Sequence, residues 1–189
     1  MKNNAILILF AILSLSLLYF IQSEDGSREP LHLKMNLPPQ EYMANAYLTS
    51  FEENGNLKEE ITANRWAYLS EAKISTLSIP HLIIYKPDGT IWFIDAKKGT
   101  LKQPSLGTIE QIELQENVVI ERPGTTTIVP LKLKTEKMSY QPKKQYAESA
   151  EPVVMTKPGL KITGTGLRAF LERDKVELLH NVKTFYLVQ

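Results

Sequence analysis

The stretch Val176-Glu177-Leu178-Leu179-His180-Asn181-Val182 decides the fold, because two readings of it compete. With Leu167, Phe170 and Leu171 it fits a helical period, which would make Leu167 to Val182 one amphipathic helix. Yet the same pattern stands 64 residues earlier, as Ile112-Glu113-Leu114-Gln115-Glu116-Asn117-Val118. The first copy runs on into Val119-Ile120 and the second into Thr184-Phe185-Tyr186-Leu187-Val188, both rich in strand formers. The repeat therefore favours strands over the helix. The segment is expected to break at Glu172-Arg173-Asp174-Lys175, with one strand on each side.

Outward from there, short alternating runs are separated by turn chemistry. Tyr47 to Phe51 and Leu57 to Ala63 flank Glu53-Asn54-Gly55-Asn56, whose residues tolerate positive φ. Ile79 to Tyr85 and Ile91 to Ile94 flank Lys86-Pro87-Asp88-Gly89-Thr90, a tight-turn order. Arg122-Pro123-Gly124, Gln141-Pro142-Lys143 and Lys157-Pro158-Gly159 punctuate the rest. A looser unit also recurs, an apolar residue, a spacer and a small residue: Ile61-Thr62-Ala63, Ile94-Asp95-Ala96, Leu133-Lys134-Thr135 and Ile162-Thr163-Gly164. Many short strands with regular turns mean an all-β antiparallel sandwich, jelly roll or barrel. Repeated strand units stack into one elongated sheet, with ends that other chains can extend and an inner face that a ligand can occupy.

The amino end differs. Residues 5–21 are AILILFAILSLSLLYFI, 17 residues without a charge. At ~1.5 Å per residue they span roughly 26 Å, just short of a ~30 Å hydrocarbon core. Lys2 precedes the run while Glu24 and Asp25 follow it, which places the N-terminus in the cytoplasm and the body outside. A cleaved signal peptide is the rival, but Tyr19-Phe20-Ile21-Gln22 is bulky where small residues are wanted. The expected organisation is a cytoplasmic tail (1–4), a transmembrane helix (5–23), a tether (24–41) and a β-domain (42–189).

Composition excludes several chemistries. There are no cysteines, so disulfides, zinc–thiolate sites and thiol catalysis are out, and a net charge of +1 argues against a nucleic-acid footprint. His32, His81 and His180 lack metal-ligand spacing, and no nucleophile elbow or Ser-His-Asp set occurs. Asp95 and the glutamates are expected on a solvated outer face. Gly164-Thr165-Gly166-Leu167-Arg168-Ala169 has the form G-x-G-x-x-A, but antiparallel surroundings make a bulge or close strand approach the better reading. Lysine clusters at Lys97, Lys98 and Lys102, at Lys132, Lys134 and Lys137, and at Lys143 and Lys144 fit edge protection, with anionic head groups as the alternative. No enzyme activity, metal or cofactor is expected.

A set of motifs then gives a resemblance over nearly the whole chain. Asn54-Gly55-Asn56-Leu57 leads to Ile61-x-Ala63; Pro80 stands ahead of Leu82-x-x-Tyr85 and Ile91-Trp92-x-Ile94-x-Ala96. Ile112-x-Leu114-x-x-x-Val118-x-Ile120, Leu133-x-Thr135, Gly159-Leu160-Lys161-Ile162-x-Gly164 and Val182-Lys183-Thr184-x-Tyr186 follow. In order and spacing, behind an N-terminal anchor, they resemble the LptC family of lipopolysaccharide transport proteins. The resemblance implies a β-jelly roll, anchored in the inner membrane with its bulk in the periplasm, that accepts lipopolysaccharide from an ABC transporter and passes it to LptA. It also implies a helix packed on LptF and LptG, an N-terminal sheet edge meeting LptF and a C-terminal edge meeting LptA. The open edges leave an isolated domain free to pair with a second copy. Strand parity puts Ala46 with Leu48, Leu77 with Ile79, and Val176 with Leu178 on shared inward faces, and Tyr186 on the face of its own run. By resemblance these seven are the residues expected to touch acyl chains. The competing reading is a membrane-anchored scaffold of an envelope complex that binds no lipid.

Overall fold

The computed structural model describes residues 41–103 and 109–186. They form eleven strands: β1 (Glu41–Phe51), β2 (Leu57–Leu69), β3 (Ile74–Ser78), β4 (His81–Tyr85), β5 (Ile91–Asp95), β6 (Lys98–Lys102), β7 (Gln111–Arg122), β8 (Leu131–Gln141), β9 (Tyr146–Lys157), β10 (Leu160–Phe170) and β11 (Lys175–Tyr186). Two single 3-10 turns, Pro142–Lys144 and Leu171–Arg173, join β8 to β9 and β10 to β11. The helical alternative for Leu167 to Val182 thus fails: Leu171–Arg173 is a corner between two strands. The segment expected to cross the membrane lies outside the described residues. Among those described, no helix is long and apolar enough to span a bilayer, and Glu41, the expected end of the tether, already opens β1.

All eleven strands belong to one antiparallel sheet in the order β11-β10-β9-β8-β7-β5-β4-β2-β3-β6, with β1 on β2 and β7 also paired with β6. The double pairings show how the sheet is folded. One half of β2 (Glu59–Thr62) pairs with β4 and the other (Arg65–Leu69) with β3. One half of β7 (Gln111–Gln115) pairs with β6 and the other (Val119–Glu121) with β5. Each long strand therefore contributes one half to each of two layers, and a fold line crosses it near its middle.

The residues at that line explain the repeats. Asn117 and Asn181, the same position in the two copies of the long repeat, both have left-handed backbone, at φ 58° and 52°. Asn45 does the same in β1 at φ 52°. Asparagine tolerates this region better than most residues, and one such residue kinks a strand and shifts its pairing. Register shifts fall there, between Gln115 and Val118 in β7 and between Thr163 and Thr165 in β10. The small residues of the looser unit end the inward run before the line: Ala63, Ala96 and Thr135 are buried beside Ile61, Ile94 and Leu133. At Gly164, a Cβ would stand 3.2 Å from the His180 carbonyl oxygen. Gly166 has φ +79°, so the G-x-G-x-x-A segment is a strand corner, and no dinucleotide loop.

Between the layers lies one core. Trp92, Tyr140, Leu82, Ile94, Leu114, Ile120, Met138 and Leu167 are fully buried within it. The closed circuit of pairings from β7 through β5, β4, β2, β3 and β6 back to β7 surrounds part of that core, which forms a packed waist.

Candidate functional site

Directly opposed residues of paired strands share a face, so the register locates each expected inward residue. Ala46 faces Ala63 and Leu48 faces Ile61, and both partners are buried. Leu77 faces Trp66 and is itself buried. Val176 and Leu178 stand opposite Ala169 and Leu167 and pack, half-buried, against the core. Tyr186 stands opposite Leu160, two residues from Ile162, which also packs on the core; yet Tyr186 itself is 81% exposed. Ile79 departs from parity. Its φ is +51° and it is 56% exposed, because the fold line passes between β3 and β4 and turns it off the face of Leu77. Its backbone N–H donates instead to the Lys97 carbonyl at 2.8 Å.

The inner face is therefore accessible at its ends and filled at its waist. Among the described residues β1 pairs only with β2, and β11 only with β10, so each leaves one hydrogen-bonding edge unpaired. Beside β11 an open cleft of about 480 Å³ is lined in part by Met155, Ile162, Val176 and Leu178.

Polar contacts clasp the two layers. Tyr140 Oη donates to Glu59 Oε1 at 2.7 Å, from one layer to the other. Glu59 is only 7% exposed, and burial raises its pKa above the usual carboxylate value despite the Tyr140 hydrogen bond, which lowers it. Burial first, then the Glu59 charge, push the Tyr140 hydroxyl well above its ordinary value. Further along, Asp174 Oδ1 lies 3.0 Å from Lys86 Nζ and 3.8 Å from Arg122 Nη1. These clasps were not among the expected site residues. The expectation that the glutamates face solvent is wrong for Glu59, which shares inward parity with Ile61 and Ala63; that parity was the available signal.

The lysine clusters also need correction. Lys98 and Lys102 lie on β6, and Lys132, Lys134 and Lys137 on β8, which are internal strands and no edges. Three of them pair with carboxylates: Lys98 with Glu116 at 2.5 Å, Lys102 with Glu110 at 3.5 Å, and Lys132 with Glu121. His81 Nδ1 bonds Asp95 Oδ1 at 2.6 Å, and its ring stacks on Phe93. Among the described residues no three His, Asp or Glu side chains group to hold a metal.

A long antiparallel sheet folded along a row of kinks, with an apolar interior and, among the described residues, two open edges, is a β-jelly-roll-like architecture. Its fold is similar to that of LptH, the LptA homologous periplasmic component of the lipopolysaccharide transport device of Pseudomonas aeruginosa. The TM-score is 0.53 at 11% identity, over 69% of this chain and 94% of that one. Residues 5–187 match the lipopolysaccharide-assembly, LptC-related family, and the chain belongs to that family. No curated protein matches the sequence.

Proposed function

We propose that the chain is an inner-membrane-anchored periplasmic carrier that accepts lipopolysaccharide from an ABC transporter and passes it to an LptA-type partner. The observation that carries this reading is the apolar inner face reaching the surface at both unpaired edges, at Leu48 beside β1 and at Val176 and Leu178 beside β11. Acyl chains lose ~0.8 kcal/mol for each CH₂ exposed to water, so a continuous apolar lining is what a carrier must offer. An unpaired strand edge extends such a lining into the next protein through main-chain hydrogen bonds. In this reading β1 meets the jelly roll of LptF, β11 meets LptA, and the segment at residues 5–23 packs on LptF and LptG. Ala46, Leu48, Val176, Leu178 and Tyr186 contact the lipid at the two edges; Leu77, buried in the waist, does so only where the layers part, and Ile79, turned off the face, does not. No catalytic group is required, because the work comes from the transporter.

The second reading, a scaffold that touches no lipid, draws on the fully buried waist. Photo-crosslinking in cells separates the two. A benzophenone amino acid at Leu48 or Val176 is expected to capture lipopolysaccharide, and one at Glu177 is not. No adduct at either inward position, in a protein that still supports growth, would leave the scaffold as the account.

A further inference from the structure

Each half of the long strands pairs with neighbours of its own layer, so no ladder of hydrogen bonds ties layer to layer on the side away from the fold line. On that side the turns of one layer meet the corners of the other. An open cleft of about 520 Å³ runs between them, with Glu52, Lys58 and Pro87 on one bank and Lys143, Lys144 and Glu172 on the other. Polar contacts bridge the two banks. Tyr140, just before the Pro142–Lys144 corner, bonds Glu59 of the facing layer, and Asp174, just after the Leu171–Arg173 corner, lies against Lys86 and Arg122. Lys86 is 6% and Arg122 12% exposed, so these charges stand largely out of water. The two corners are themselves joined, because the Leu171 N–H donates to the Gln145 carbonyl at 2.8 Å.

Such pairs suit a contact that must open. Buried charged partners give up water in order to meet, and parting the layers returns both of them to water, so the pair adds little net resistance. The waist is filled by its own side chains and holds no acyl chain while the layers are closed. Packed sheets stand ~10 Å apart, and one further layer of carbon atoms in contact adds roughly 4 Å. Apolar surface uncovered by that movement is covered again by the incoming chains. The fold line supplies the hinge: Asn117 and Asn181 carry left-handed backbone there, and turning about them leaves the ladders of each layer intact. We propose that the layers part on the side opposite the fold line to admit acyl chains to the waist, with Glu59–Tyr140 and Asp174 with Lys86 and Arg122 as the latches that hold them shut. The proposal rests on the carrier reading and adds the route of its cargo, sideways between the layers instead of end to end along a filled core.

The chain has no cysteine, so spin labels can be set at chosen pairs of positions. Asn54→Cys with Lys143→Cys puts one label on each bank, and Lys143→Cys with Glu172→Cys puts both on the same bank. Pulsed electron paramagnetic resonance on the full chain in detergent, without and with lipid A, reads the two distances. Lipid A is expected to lengthen the first by about 4 Å and to leave the second unchanged. Tyr140→Phe strands Glu59 only while the layers are closed, and Asp174→Asn takes the shared charge from Lys86 and Arg122. Each variant should load lipid A about 10-fold faster than the native chain, the low end for one charged hydrogen bond. Ile74→Ala, which truncates a buried side chain outside the main core cluster, should lower stability and load at the native rate. If Asp174→Asn does not fold, Tyr140→Phe, which keeps its volume, carries the comparison. Lipid A bound with the first distance unchanged would overturn the gate and leave the carrier standing on its two edges. Lengthening without faster loading by the latch variants, or with equal acceleration by Ile74→Ala, would overturn the assignment of the latches. No binding of lipid A by the native chain would remove the carrier reading and the gate with it.

Discussion

Replacing Tyr140 by phenylalanine tests the clasp between the layers, because it removes one hydroxyl and almost no volume. Tyr140 is fully buried and donates to Glu59 Oε1 at 2.7 Å, so the Tyr140→Phe variant would leave a buried carboxylate without that donor. Stranding a buried acceptor costs about 1–3 kcal/mol, the upper part of the range applying to a charged one. For a chain of this size about 2 kcal/mol lowers Tm by roughly 4–8 °C. The pH dependence has a definite sign. Burial raises the Glu59 pKa, so the folded state holds this proton more tightly than the unfolded chain does. Its contribution to stability is complete below the ordinary carboxylate value and is lost as pH rises through the raised one. The Tyr140 bond opposes the shift, so removing it raises the Glu59 pKa further. The deficit of Tyr140→Phe should therefore be large near about pH 8 and smaller near about pH 5, growing by at most ~1.4 kcal/mol per pH unit. Glu59→Gln, which keeps an acceptor and cannot ionise, should match or exceed the native Tm at the higher pH. Thermal melts of the purified chain followed by circular dichroism measure both. A Tyr140→Phe deficit that is equal at the two pH values, or larger in acid, would refute the account of Glu59 as a buried, reluctantly charged group.

Asn181→Val and Asn117→Val should each cost about 1–2 kcal/mol, since a β-branched side chain is strained in left-handed backbone, while the glycine variants should be tolerated; denaturant melts distinguish them. Asp174→Ala removes the shared partner of Lys86 and Arg122, so amide exchange in β10 and β11 should quicken while that of β2 and β4 stays unchanged. Substituting Ile79 with Gly should relieve its positive φ without opening a cavity, because the side chain is exposed, and Tm should hold or rise.

The extent to which this fold was legible depended on which physical signal a residue carries. Periodicity and turn chemistry placed the strands, and the long repeat chose strand over helix. The kink that the repeat encodes was not legible from periodicity, since alternation assumes a straight strand. Asn117 and Asn181 break it by changing the backbone hand, and Ile79 does so without any residue preference to announce it. Ala46, Leu77 and Val176 accordingly lie on the face that packs on the core, while Ile79 is turned off it. The clasps were illegible for another reason. Glu59 and Tyr140 are 81 residues apart, and only the folding of the sheet brings them together. Glu59 could have been suspected from its parity with Ile61; nothing local in the sequence marks Asp174 as the partner of Lys86.

What one more strand would do at the carboxyl edge can be judged from the structure itself. Leu167 and Ala169 on β10 are 0% and 1% exposed, while Leu178 and Val176, directly opposite them on β11, are only half-buried. The chemistry of the two pairs is alike; the difference is that β10 has a strand on each side and β11 on one. At the other end the same comparison holds between Ile61, 2% exposed on β2, and half-buried Leu48 on β1. Each edge thus combines incompletely buried apolar side chains with unpaired backbone groups, and a partner strand satisfies both at once. On the proposed reading that is how a lining too short to cross the envelope is continued: each added strand completes the burial of the last and exposes the next. The fully packed waist then confines lipid contact to the edges unless the layers part, and the Glu59–Tyr140 and Asp174 clasps are the contacts that such parting must break.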